Sequence, residues 1–165
     1  MSCAPGPRRR WRPEKLGWES TFFTLGKARE CRDRFLARLD DVLILGIGLD
    51  AASRSKALKA TTPIPGASPS GIFLALEKDR PLEAGGTLLG FDVLGLDCGF
   101  HSYLCGGAEK DFFARLGAKP NEHGLFDEAT AVQCAALVNG DTTMGEPGLW
   151  RAWEIRSFPA SSGPP

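Results

Sequence analysis

The sequence predicts an α+β fold: a single layered domain, with a mainly antiparallel sheet of about four strands and two to four helices packed on it. Three observations point there. Short apolar runs at 42–49, 72–79, 85–97 and 148–158 have strand length. Segments 26–40, 101–116 and 127–139 carry apolar residues at helical spacing. The two kinds do not alternate strictly, so a doubly wound parallel sheet is not implied.

Residues 1–16 are rich in Pro, Gly and Arg and read as a disordered basic tail; the globular domain is expected over 17–158, with a second tail at 159–165. Within "GKARECRDRFLARLD", Cys31, Phe35, Leu36 and Leu39 share a helix face. "DVLILGIGLD" follows as a strand, apolar enough for burial on both faces. "AASRSKALKA" suits a short polar helix, and "TTPIPGASPSG" is a loop. "IFLALEKD" and "GGTLLGFDVLGLD" are read as two strands joined by a short polar link, which favours an antiparallel pair. From His101 to Leu116 the spacing of Leu104, Ala108, Phe112 and Leu116 predicts a helix ending at Gly117. Asp127 is placed to cap a helix running to about Asn139, with Ala129, Val132 and Ala136 on one face. "GLWRAWEIRSF" closes the fold as a strand.

Composition narrows function. Basic and acidic residues balance at 20 each, so no global field recruits nucleic acid or a membrane. The balance hides an offset: 1–16 carry five bases and one acid, leaving the body at 15 bases and 19 acids. That excess of acid suits a basic partner. No signal-like segment or membrane-length apolar run is read, and five scattered cysteines suggest reduced thiols in a cytoplasm.

Two of those cysteines lie in "DCGFHSYLCGGAEKDF" with one of the two histidines. Imidazole and thiolates are zinc ligands, so Cys98, His101 and Cys105 form a candidate metal set, with His123 or Cys134 as a fourth ligand. A second reading makes Cys98 a nucleophile at a strand-to-helix junction, with His101 or His123 as base and Asp97 or Glu122 orienting it. The bland alternative is a strand end and a helix start whose cysteines pack, with no metal or other cofactor.

Gly46-x-Gly48-x-x-Ala51 between a strand and a possible helix mimics a dinucleotide-binding turn, with Glu77 as the ribose acid. Against it, Glu77 lies 31 positions after Gly46, and a proline-rich loop intervenes. The alternative is that Gly46 and Gly48 only thin a strand end. "GASPSG" fails the nucleophile-elbow pattern at Ser70, and "RRRWR" is a short stretch on a tail.

Trp150 and Trp153 point to opposite faces of the last strand. One belongs under the helices; the other needs a separate cover or stays exposed. With Arg151 and Glu154 beside it, an exposed indole there would form a partner-binding patch.

Residues 86–158, with the strand "LLGFDVLGLD", the "FHS" start, the "NEHGLF" turn and "PGLWRAWEIRSFP", resemble small bacterial immunity-type proteins that partner polymorphic or contact-dependent toxins. That resemblance implies an α+β fold, no catalysis, and neutralisation of a cognate toxin by occlusion. The competing expectation is a small cysteine- or metal-dependent enzyme built on Cys98 with His101 or His123.

Overall fold

A computed structural model describes residues 22, 24–39, 42–63, 65–66, 71–78, 82, 85–96, 100–141, 143–144 and 149–159. The expected tail at 1–16, and all of the tail at 159–165 except Pro159, lie outside them. The architecture is α+β. Four strands, β1 (Ile44–Gly48), β2 (Thr87–Leu96), β3 (Phe100–Ser102) and β4 (Leu149–Phe158), form one sheet in the order β1-β4-β2-β3. Every neighbouring pair is antiparallel. The helices are α1 (Leu25–Phe35), α2 (Ala51–Thr61), α3 (Gly71–Lys78), α4 (Tyr103–Gly106), α5 (Glu109–Leu116) and α6 (Glu128–Gly140).

Strand alternation splits the core in two. Trp150 and Ala152 look to one face, where they meet Val93, Tyr103, Phe112, Phe126 and the α6 residues Ala131, Cys134 and Val138. Trp153 looks to the other face, against Leu94, Ala57 of α2 and Leu76 of α3. Val93 and Leu94 are consecutive and fall in different clusters, as a period of two requires. On the first face the rings of Tyr103, Phe112 and Phe126 sit 5.0–6.1 Å apart in tilted or edge arrangements. Each such pair adds about 0.5–1.5 kcal/mol to the area it buries.

Several expectations need correction. "IFLALEKD" is helix α3, not a strand, so β2 pairs with β3 and β4 instead. A short apolar run does not by itself distinguish helix from strand. Here the decision is tertiary: Arg54 of α2 donates to the last carbonyls of α3, Leu76 at 2.6 Å and Glu77 at 3.3 Å, a cation where the helix dipole favours one. The helix expected over 101–116 is two helices preceded by β3. Ser102 caps α4, and Gly107, at φ 73°, breaks the run with a left-handed residue. Gly117 does terminate α5 at φ 64°, and Asp127 does cap α6. β1 is an edge strand with Leu45 exposed, not one buried on both faces. On α6 the expected face is reversed: Val132 is exposed, while Ala131, Cys134, Ala135 and Val138 are buried. Apolar residues encircle this helix, so spacing alone does not choose its inner face.

The glycines of β1 have a steric explanation. A Cβ at Gly46 would lie 2.6 Å from Phe158 and 2.9 Å from Leu82, and one at Gly48 2.8 Å from Leu82. They make room for core side chains. With 71–78 helical, no parallel strand follows α2 among the described residues, and they form no dinucleotide-binding βαβ unit.

Gly95 is equally constrained. Trp150 lies across it, and a Cβ there would approach the indole to 2.9 Å. Gly95→Ala should therefore destabilise the protein by about 1–3 kcal/mol through overpacking. Urea denaturation should show a lower midpoint with an unchanged slope, and an unchanged midpoint would refute this packing.

Candidate functional site

β1 stops at Gly48, opposite Glu154. From Leu149 to Trp153, β4 therefore has no strand partner on that side among the described residues. An open groove of ≈ 550 Å³ takes in this edge at Arg151 and Ala152 and extends over the strand-paired part of β4 and over β2. Asp50, Ser53 and Lys56 line it from the start of α2; Glu128, Val132, Ala135, Ala136 and Asn139 line it from α6. Leu88 and Phe91 of β2 and Arg151, Ala152, Glu154 and Arg156 of β4 complete it.

Each wall is fixed by local hydrogen bonds. The Asp50 carboxylate caps α2, accepting from the amides of Ala52 at 2.8 Å and Ser53 at 2.9 Å. Hydrogen bonding from Ser53 holds its carboxyl below the usual range. The side chain of Asn139 substitutes for the missing strand. Its Nδ2 donates to the Trp150 carbonyl at 2.8 Å, and its Oδ1 accepts from the Trp150 N–H at 3.0 Å. Trp150 thus turns its main-chain groups away from β2, and Ala152, two residues on, turns its own the same way. Arg151 Nη1 donates to the same Trp150 carbonyl at 2.9 Å. Its Nε is buried and meets no acceptor among the described residues. Glu154 and Arg156 form an ion pair, and Arg156 also donates to the Gly86 carbonyl at 3.0 Å. Between these polar groups, Val132 is 54% and Leu88 48% exposed.

The residues expected from sequence divide. Arg151 and Glu154 line the groove. Trp150 and Trp153 do not present an exposed indole: they are 5% and 3% exposed, and α2 and α3 provide the cover over Trp153. Cys98 and Asp97 lie outside the described residues, as does the side chain of Cys105. His101 sits on β3 opposite Gly95, and its Nε2 is buried with no hydrogen-bond partner among the described residues. His123 lies in an exposed turn, 3.8 Å from Glu122. Among the described residues no three His, Cys, Asp or Glu side chains are grouped to hold a metal ion. Cys134 is fully buried, and burial pushes its thiol up to about 11, away from thiolate chemistry. No protein-family model, no curated protein and no solved structure matches this chain.

Sequence reasoning passed over most of the groove, because its residues come from four elements with no motif in common. It also passed over Asp92, although an acid inside the apolar run "GFDVLG" was a visible signal. Asp92 lies on β2 opposite Trp153 and accepts from the Ser102 hydroxyl at 3.1 Å. Ser102 Oγ in turn accepts from the Leu104 amide at 3.3 Å, so the carboxyl is tied to the cap of α4. Burial raises this carboxyl from the ordinary 3.8 to about 6.

A carboxyl raised in the folded state holds its proton more tightly there than in the unfolded chain. Its contribution is therefore neutral below about pH 4 and becomes a penalty as pH rises to about 6, reaching at most about 3 kcal/mol. Asp92→Asn should remove that dependence, so the stability difference between variant and wild type should grow in favour of the variant from pH 4 to pH 7. Parallel curves across that range, from urea denaturation at each pH, would refute the assignment.

Proposed function

We propose that this chain is a non-catalytic protein-binding domain that engages its partner through the groove between α2, α6 and β4. Its concrete form is an immunity-type protein that neutralises a cognate toxin by covering it. The observation that carries the reading is the pairing of exposed Val132 and Leu88 with a fixed polar surround on a rigid sheet. Partner surfaces combine apolar patches with arginine and a polar rim, and Arg151 and Arg156 supply the arginine here. Thiol chemistry has less support: Cys134 is buried and raised, and no described thiol or carboxylate bonds His101 Nε2.

The test uses the full chain as bait in a lysate of the organism that encodes it. Wild type should retain one stoichiometric protein, toxic when expressed alone and harmless when expressed with this chain. A Leu88→Glu, Val132→Glu double variant should retain less than about a tenth of it, as expected when a buried hot spot is charged. Cys98→Ala and His101→Ala should retain it fully. Full retention by the double variant, or its loss in Cys98→Ala, would overturn the reading.

A further inference from the structure

We propose that Asn139 and Gly140 form a site of spontaneous deamidation, that the two hydrogen bonds clamping Asn139 to the Trp150 main chain hold the reaction back, and that the reaction, once complete, breaks this clamp on the β4 edge.

The chain has two asparagines, Asn121 and Asn139, and only Asn139 precedes a glycine. Deamidation begins when the main-chain nitrogen of the following residue attacks the asparagine Cγ. A new C–N bond forms, the Cγ–Nδ2 bond breaks, and Nδ2 leaves as ammonia with the proton from the attacking nitrogen. Water then opens the cyclic imide at either of its carbonyls, giving aspartate or isoaspartate. Water is the only co-reactant. A side chain on the attacking residue obstructs the approach, and glycine has none. At Asn121 the following residue is Glu122, which does obstruct it.

The position of Asn139 both exposes the reaction and restrains it. Asn139 is the next-to-last residue of α6 and is exposed, so water reaches it and the backbone around it frays. Against this, the helical backbone turns the Gly140 nitrogen away from Cγ. The clamp adds a second restraint, because Nδ2 donates to the Trp150 carbonyl at 2.8 Å and Oδ1 accepts from the Trp150 N–H at 3.0 Å. The reaction therefore proceeds from molecules in which the last turn of α6 and the clamp have opened together.

Neither product rebuilds the clamp. An ionised aspartate has acceptors only. Its oxygen would face the Trp150 carbonyl where Nδ2 now donates, and two oxygens repel there. Of the two side-chain donors to that carbonyl, Arg151 alone would remain. Isoaspartate lengthens the main chain and moves the carboxylate off the edge. Asn139 also lines the groove, so either product adds negative charge to it.

The test is peptide mapping by mass spectrometry on the full chain, incubated at mildly alkaline pH either folded or unfolded in urea. In urea, Asn139 should convert while Asn121 stays intact. Folded chain, kept for about a hundred unfolded half-times, should still convert at Asn139, slowed by about ten- to a hundredfold as opening at a helix end requires. Gly140→Ala should suppress conversion in both states. Nothing lies within 4 Å of a Cβ at Gly140, so that variant should fold. Asn139→Asp should speed amide exchange at Trp150 by about tenfold, the loss of one hydrogen bond. If Asn139→Asp does not fold, the same exchange is read on converted wild-type chain separated by ion exchange. Equal rates in the folded and unfolded chain, no conversion of the folded chain, or earlier conversion of Asn121 would overturn the proposal. So would undiminished conversion in Gly140→Ala, or unchanged exchange at Trp150 after the amide is lost.

Discussion

The structure depends on β4 being buried on both faces. Trp150 fills one side and Trp153 the other, and each indole is sealed by different helices. A strand carrying two large aromatic rings on opposite faces has to be covered twice. That requirement draws α6 to one face and α2 with α3 to the other. It also explains Gly95, which leaves room for Trp150, and Arg54, which ties α2 to the end of α3 across the second core. The groove is a by-product of the same constraint. β1 is only five residues long and leaves half of one β4 edge without a strand among the described residues. The groove takes in that half-edge at Arg151 and Ala152, between residues of α2 and α6.

Exposed edges invite pairing with another chain, and proteins restrain them with side chains. Asn139 does so at Trp150 by satisfying both main-chain groups, and Arg151 adds a second donor to the same carbonyl. The restraint is local. Beyond it, the groove keeps apolar surface at Val132 and Leu88 between charged side chains. Half-buried Asp92 belongs to a different region. It links β2 to the cap of α4 through Ser102 and does not line the groove.

Much of the fold was legible in the sequence. Capping chemistry placed the start of α6 at Asp127 and the end of α5 at Gly117, since both depend on local hydrogen bonds and backbone preference. The opposite facing of Trp150 and Trp153 followed from strand alternation. Legibility ended where tertiary contacts decide. Nothing within "IFLALEKD" reveals that Arg54, 22 residues before Leu76, will cap it as a helix. Nothing in an apolar helix such as α6 reveals which side meets the sheet: Ala129, Val132 and Ala136 share a face, and Val132 lines the groove. For the site, Arg151 and Glu154 were found through their proximity to tryptophan. Lys56 and Asn139 were not, because only the packed fold brings them together.

The central claim, a doubly buried β4 with one half-edge open to the groove, is tested most directly by amide hydrogen exchange along that strand. Arg151, Trp153 and Ile155, whose register with β2 directs their amides to it, should be strongly protected, as should Trp150, held by Asn139. Ala152, whose amide faces the groove, should exchange far faster than the residues on either side of it. Protection of Ala152 equal to that of its neighbours would mean that the edge is covered in solution, and would contradict the groove as the binding surface.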